Sequence, residues 1–166
     1  MKKFLFLDRD GCLIVEPEDR QIDSLEKLEL MPEVIPSLQQ AKKSGFTFIL
    51  ITNQDGLGTK SFPQESFDTP HQAMLRMFSE AGISFEREYV CPHFEAENCL
   101  CRKPKVNPAL HQYLQVQHDL DLKSCAMVGD RLTDLQFAAN LGCTGFQLTP
   151  EQGWKELLPR ILNLTL

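Results

Sequence analysis

The stretch that decides the fold is FLFLDRDG at residues 4–11. Its first half is four apolar residues in a row, without the alternation of apolar and polar side chains found in strands with one wet face. We therefore predict a strand that is buried on both faces, as in a parallel sheet covered by helices. Two aspartates and a glycine lie directly after it, at the end of the strand where open parallel sheets bind their ligands.

Two further apolar runs repeat this pattern. Segments 46–51 and 126–128 are apolar apart from one threonine, and they are followed by TNQ and by GD. Weaker strand signals lie at 89–90 and 146–148. Stretches with helical spacing of apolar residues alternate with the strands. The predicted fold is therefore a three-layer α/β/α sandwich with a mostly parallel, Rossmann-like sheet, formed by one domain over residues 1–166.

Capping signals indicate where several helices begin and end. Asparagine or threonine before proline is typical of a helix start, and glycine after an apolar face is typical of a helix end. The predicted boundaries are a helix from Val34 that ends at Gly45, helices over about 70–81 (Thr69-Pro70) and 108–117 (Asn107-Pro108), a capping box of Thr133 and Gln136 before a helix that ends at Gly142, and a last helix over 154–162. Residues 55–68 are predicted to form a surface loop.

Composition excludes several classes of protein. The chain has 166 residues, of which 42% are hydrophobic, and this is enough for one folded core rather than a disordered chain. Its net charge is −6 and no basic stripe is present, which argues against a nucleic-acid partner. No apolar run approaches the roughly 20 residues that cross a bilayer, so we expect no membrane partner. The first seven residues resemble the start of a signal peptide, but Asp8 interrupts the apolar run. We therefore expect a cytoplasmic protein.

The aspartates after the strands form a candidate magnesium site. Asp8 and Asp10 can converge on one ion only if the chain turns between them, and Gly11 permits that turn. Asp130 would arrive from a neighbouring strand and complete a set of oxygen ligands suited to Mg²⁺. Each feature alone is typical of an ordinary turn, but together they predict a site in which the Asp8 carboxylate attacks phosphorus.

Four residues within eleven positions form a candidate zinc site. Cys91, His93, Cys99 and Cys101 supply three thiolates and one imidazole, which is a complete tetrahedral set for Zn²⁺. With no open position the metal would be structural, and it would stabilise a loop that leads directly to Lys103. The alternative interpretation is a group of buried cysteines with a capping histidine.

These motifs resemble those of the haloacid dehalogenase-type phosphohydrolases over nearly the whole chain. The matching segments are FLDRDG at 6–11, ITN at 51–53, RKP at 102–104 and GD at 129–130 with Asp134. The resemblance implies that Asp8 is the nucleophile and Asp10 the general acid and base. The further site residues that it implies are Thr52, Asn53, Arg102 and Lys103 for the phosphoryl group, and the Asp8 carboxylate, the Asp10 backbone carbonyl and Asp130 for Mg²⁺. Cys12 stands where many members of this family have threonine. We also expect no large cap domain.

The zinc loop and the segments TNQDGLG at 52–58 and SFP at 61–63 narrow the resemblance. They are similar to a capless branch that contains phosphatases for histidinol phosphate and for heptose 1,7-bisphosphate, and they are closer to the first. The resemblance implies a phosphomonoesterase that hydrolyses L-histidinol phosphate, a small-molecule substrate, in histidine biosynthesis. In some relatives an imidazoleglycerol-phosphate dehydratase domain follows, and we expect the apolar tail at 161–166 to mark that junction.

Three alternatives stay open at this point. They are a heptose 1,7-bisphosphate phosphatase, a nucleic-acid 3′-end phosphatase, and a non-catalytic binding module stabilised by zinc. For histidinol phosphate, a carboxylate near the mouth of the site would bind the substrate amine, and the candidates are Glu16, Glu18 and Asp55. Each of the three can equally be a solvated loop charge.

Several other side chains are expected to be structural. The histidines at 71, 111 and 118 are expected to be surface or half-buried groups without a catalytic role. The cysteines at 12, 125 and 143 are expected in the core. Residues 74, 77 and 78 are expected on the core face of a helix.

Overall fold

Five parallel strands form one sheet in the computed structural model, which describes residues 1–165; Leu166, the end of the predicted apolar tail, lies outside the described residues. The strands are β1 (Lys3–Leu7), β2 (Phe46–Asn53), β3 (Phe85–Cys91), β4 (Ala126–Gly129) and β5 (Thr144–Gln147). Their order across the sheet is β3-β2-β1-β4-β5, and every neighbouring pair is parallel. The ends of β1, β2 and β4 therefore lie side by side.

Helices cover both faces of this sheet. They are α1 (Val34–Lys43), α2 (Gln64–Glu80), α3 (Pro108–Gln115), α4 (Leu132–Leu141) and α5 (Trp154–Leu162). Leu5 and Leu7 pack with residues of α1, α2 and α5, whereas Phe4 and Phe6 pack with residues of α3 and α4. The continuous apolar run is thus buried on both faces, and the predicted three-layer sandwich is confirmed.

Two strands continue one or two residues further than their apolar runs. β2 includes Thr52 and Asn53 because both pair with β3, opposite Val90 and Cys91. β4 includes Gly129 in the same way. The longest segment between strands and helices within residues 1–165 is 8–33, which is too short for a cap domain of about 50 residues.

The predicted start of α2 is wrong. The helix begins at Gln64, after Pro63, and Pro70 lies inside it instead of at its first position. Phe67 explains the difference, because burial of its ring against Phe62 stabilises the six additional helical residues before the proline. The predicted loop over 55–68 therefore ends at residue 63.

The predicted capping box of α4 is also wrong. The cap residue is Arg131, whose backbone N–H donates to Asp134 Oδ2 at 3.1 Å, so Thr133 and Gln136 do not form the pair. The other helix ends agree with the sequence more closely. Asn107 Oδ1 accepts from Ala109 N at 2.9 Å at the start of α3, which ends two residues earlier than predicted. Gly45 and Gly142 have positive φ angles of 91° and 94° after α1 and α4.

Most of the residues expected to be structural have the expected environment. Met74 and Phe78 are fully buried, but Met77 is 39% exposed and does not belong to the core. Cysteines 12 and 125 are buried and cysteine 143 is half-buried. The expectation for His71 is wrong, because this side chain is 4% exposed and bonded to two charged residues. No helix within residues 1–165 has the length and apolar character needed to cross a membrane.

Candidate active site

An open cavity of about 530 Å³ lies at the carboxyl ends of the three central strands. Asp8 follows β1, Thr52 is near the end of β2, and Lys103 reaches the cavity from the loop before α3. Asp130 follows β4 and lies next to Asp8. The sequence motifs that are far apart in the chain thus meet at one edge of the sheet.

A buried lysine links two aspartates at the floor of the cavity. Lys103 Nζ lies 2.9 Å from Asp8 Oδ1 and 2.7 Å from Asp134 Oδ1, and the lysine side chain is 3% exposed. Burial alone would lower the pKa of Lys103, but the charges of Asp8 and Asp134 outweigh it and raise this pKa. The ammonium group therefore stays charged at neutral pH, beside the Asp8 carboxylate.

Asp130 has a buried oxygen that no group in residues 1–165 satisfies. Its Oδ1 atom has no hydrogen-bond partner there, although oxygens of Asp8, Asp130 and Asp134 lie within 4.8 Å of one another. Burial, with the charge of Asp8 as the next cause, raises the pKa of Asp130 to about 7. A buried unpaired carboxylate oxygen is unfavourable, so Asp8 and Asp130 fit a hard divalent cation such as Mg²⁺.

Gly11 allows this close approach of the two loops. Its φ angle is 79°, and a side chain at this position would overlap the Asp130 carboxylate. The turn that Gly11 was expected to permit is present, but it does not bring the Asp10 carboxylate to the oxygens of Asp8 and Asp130. The glycine instead has a second role that the sequence does not reveal.

Asp10 is held by two neighbouring side chains instead of joining the other aspartates. Arg9 Nε donates to Asp10 Oδ1 at 2.7 Å, and Gln54 Nε2 donates to Asp10 Oδ2 at 2.9 Å. Gln54 Nε2 also lies 3.0 Å from Thr52 Oγ1. Sequence reasoning missed Arg9 and Gln54 as site residues, although both stand inside the quoted motifs DRDG and TNQ.

Asn53 and Arg102 position the segment that carries Lys103. Asn53 Oδ1 accepts from Lys103 N at 3.1 Å, and Asn53 Nδ2 donates to Lys103 O at 3.3 Å. Arg102 forms an ion pair with Asp55 and donates to the His93 carbonyl at 3.0 Å. Asn53, Arg102 and Asp55 also line the cavity.

The predicted zinc ligands come together next to this segment. Sγ–Sγ distances among Cys91, Cys99 and Cys101 are 3.3–3.6 Å, and His93 Nδ1 lies 3.3 and 3.5 Å from two of these sulfurs. Bonds of about 2.3 Å to sulfur and about 2.05 Å to nitrogen would give tetrahedral edges of roughly 3.6–3.8 Å. The cysteines form no disulfide. This geometry and donor set fit Zn²⁺.

The acidic loop residues differ in their position. Glu16 lines the cavity, pairs with Arg131 and has a pKa raised by burial, an effect that Arg131 opposes. Asp55 also lines the cavity, but Glu18 is exposed and is not among its lining residues. Asp19, which the sequence did not single out, also lines the cavity.

Comparison with known proteins agrees with this geometry. The family model of the haloacid dehalogenase-like hydrolases matches residues 3–142. The chain belongs to this family. It is therefore a hydrolase, and the match includes β1 to β4 and every aspartate described above.

Two curated relatives of this chain have names that specify a biosynthetic pathway. The histidine biosynthesis bifunctional protein HisB of Campylobacter jejuni is 48% identical over 164 residues, and that of Legionella pneumophila is 44% identical over 163 residues. Both alignments include 98% of this chain but only 46% of the relative. The chain thus spans about half the length of these relatives.

A solved structure resembles the whole fold. The D,D-heptose 1,7-bisphosphate phosphatase of B. bronchiseptica, complexed with magnesium and phosphate, has a TM-score of 0.80 and 25% sequence identity. The match covers 97% of this chain and 98% of that chain. The fold described here is therefore also that of a known phosphatase.

Proposed function

We propose that this chain is a Mg²⁺-dependent phosphomonoesterase whose nucleophile is Asp8. The observation that carries the proposal is the pairing of the Asp8 carboxylate with buried Lys103 beside the unsatisfied oxygen of Asp130. Asp8, Asp130 and the backbone carbonyl of Asp10 would hold the cation. When bound, Mg²⁺ would neutralise charge on the phosphate oxygens.

The reaction proceeds in two displacements. An Asp8 carboxylate oxygen attacks phosphorus, the ester P–O bond breaks, and Asp10 gives its proton to the departing alkoxide. Water then attacks the aspartyl phosphate, Asp10 takes the water proton, and phosphate leaves with Asp8 regenerated. Lys103 Nζ and Thr52 Oγ1 bind the phosphoryl oxygens, and Asp134 keeps Lys103 in place through its 2.7 Å ion pair.

L-Histidinol phosphate is the substrate that we propose. Its amine requires an anionic contact away from Asp8, and Glu16 supplies a half-buried carboxylate on the cavity wall. We assign the amine contact to Glu16, with Asp55 as the second candidate, because Glu18 does not line the cavity. The names of the bifunctional histidine biosynthesis relatives support this choice.

Heptose 1,7-bisphosphate is the second candidate, because the heptose phosphatase structure matches the whole fold. A second phosphate would need cationic groups that are free to bind it. Arg102 and Arg131 line the cavity, but each is already paired with a carboxylate, Asp55 and Glu16 respectively. The same ion pairs engage Glu16 and Asp55, and Arg20 also lines the cavity, so the choice of L-histidinol phosphate rests on the names of the bifunctional relatives.

Kinetic comparison of the two substrates tests the proposal. We expect kcat/KM for L-histidinol phosphate to exceed that for heptose 1,7-bisphosphate, and we expect Glu16→Gln to reduce this preference. Lys60→Gln, an exposed change outside the cavity lining, is the control. A preference for the bisphosphate would overturn the substrate assignment, and full activity of Asp8→Asn would overturn the mechanism.

Zn²⁺ is proposed as a structural metal of the loop at 91–101. The Arg102 bond to the His93 carbonyl joins this loop to the segment that carries Lys103. We also propose that the full-length protein continues into an imidazoleglycerol-phosphate dehydratase domain, since the bifunctional relatives are about twice as long as the matched region. Sequencing of the complete coding region tests this.

A further inference from the structure

A buried row of side chains extends from Asp10 away from the cavity. Arg9 Nη1 lies 3.3 Å from His71 Nδ1, and His71 Nε2 lies 2.6 Å from Glu88 Oε1. Arg9 is fully buried and His71 is 4% exposed, whereas Glu88 reaches the surface at the edge of the row. The hydrolytic reaction described above does not use His71 or Glu88.

Each nitrogen of the Arg9 guanidinium has at least one hydrogen-bond partner. Besides its bond to Asp10, Nη2 of Arg9 donates to Gln54 Oε1 at 3.3 Å, and the Arg9 Cζ atom lies 4.7 Å from the centre of the Phe67 ring. His71 stacks on the same ring, with centroids 4.7 Å apart. A fully buried charge needs such partners, because an unpaired buried donor costs free energy.

The chemistry of arginine fixes the tautomer of His71. Arginine can only donate, so His71 Nδ1 must be the acceptor and the ring proton must lie on Nε2. That proton is donated to Glu88, which thereby holds the ring in the correct orientation. Removal of Glu88 would leave the ring free to present N–H to the guanidinium.

We infer that His71 and Glu88 are positioning residues that hold Arg9 so that it aims the Asp10 carboxylate at the leaving group. This inference rests on the proposed function, because it assigns to Asp10 the role of general acid. Arg9 touches both oxygens of Asp10, at 2.7 and 3.4 Å, so rotation of the guanidinium would move or release the carboxylate.

The expected signature depends on the leaving group. An alkoxide leaves only when it is protonated, and general acid catalysis contributes roughly 10²–10⁴-fold to such steps. p-Nitrophenolate leaves without a proton. A change at His71 should therefore slow the cleavage of an alkyl phosphate much more than that of p-nitrophenyl phosphate, whereas a general loss of folded protein would slow both equally.

The test compares His71→Phe with His71→Asn by rapid quench in the first turnover. Phenylalanine keeps an aromatic ring against Phe67 but lacks the acceptor, whereas the asparagine Oδ1 can replace Nδ1. We expect His71→Phe to slow the release of histidinol from L-histidinol phosphate at least tenfold. We expect the release of p-nitrophenolate to change less than twofold, and His71→Asn to regain most of the lost rate.

Controls separate this inference from the proposed function and from misfolding. His111→Phe makes the same change at an exposed position and should leave both rates unchanged. If His71→Phe does not fold, Glu88→Ala should give the same selective loss, with rescue by Glu88→Gln. Equal losses on the two substrates, or no loss, would overturn the inference. Absence of phosphate release by the unmodified chain from both substrates would instead overturn the proposed function.

Discussion

Asparagine in place of Asp130 should stabilise the Mg²⁺-free protein while it removes the response to Mg²⁺. Burial raises the pKa of Asp130 from 3.8 to about 7. Without any screening by water, this difference corresponds to about 4 kcal/mol. Because part of this carboxyl group is accessible to water, screening reduces the expected gain to about 1–2 kcal/mol. For a chain of this size that is a rise in Tm of about 2–8 °C.

The sign of the pH dependence follows from the raised pKa. An acid whose pKa is higher in the folded state destabilises the fold when it ionises, so the penalty is absent below about pH 3.8 and complete above about pH 7. We therefore expect Asp130→Asn to raise the free energy of unfolding most at pH 8 and least at pH 4.

Thermal denaturation in Mg²⁺-free buffer, with zinc retained, measures this effect. Asp119→Asn at an exposed position is the control and should change the stability by less than about 0.5 kcal/mol. Added Mg²⁺ should stabilise the unmodified chain, by about 2.7 kcal/mol at a hundred times its Kd, but not Asp130→Asn. A variant that is less stable than the unmodified chain at pH 8 without Mg²⁺ would refute the reasoning.

Three other predictions concern the loops around the site. Gly11→Ala should lower activity at least tenfold, because the added carbon would overlap the Asp130 carboxylate and the φ of 79° disfavours alanine. Kinetics with p-nitrophenyl phosphate measure this effect, and unchanged activity would contradict the prediction. Cys99→Ser should lose bound zinc and lower Tm by several degrees, whereas Cys143→Ser should keep the metal. Elemental analysis measures the zinc content and calorimetry measures Tm. Zinc retained in Cys99→Ser would contradict the proposed zinc site. Lys103→Met should reduce turnover strongly and cost about 3–5 kcal/mol of stability by leaving buried carboxylates unpaired, and a fully active variant would exclude its phosphate-binding role.

The sequence was sufficient to predict the parts of the fold that depend on the spacing of apolar residues and on the residues that end helices and strands. The apolar run at 4–7 could only be buried on both faces, and Trp154–Leu162 has the bounds that its helical spacing predicts. The start of α2 could not be predicted locally, because burial of Phe67 against Phe62 is a tertiary effect that outweighs the cost of Pro70 inside the helix.

The candidate site also has a part that the sequence predicts and a part that depends on tertiary packing. The aspartates after β1 and β4 were found because parallel strands bring their ends together, and their convergence needed no side-chain detail. The contacts of Arg9 with His71 were not found, since residues 62 positions apart meet only through the packing of α2 beside the sheet. The environment of Glu18 could not be predicted either, because the direction of a loop side chain depends on its turn geometry.

The most direct test of the central claim is to trap the phosphoryl group on the enzyme. The chain is mixed with p-nitrophenyl phosphate and Mg²⁺, quenched in acid within the first turnover and reduced with borohydride, which converts an aspartyl phosphate into homoserine. Peptide mass spectrometry should find homoserine at position 8 only in the sample that received substrate, and Asp10→Asn should increase its amount by slowing hydrolysis of the intermediate. Reduction at another carboxylate, or none at Asp8 while p-nitrophenolate is released, would contradict the account.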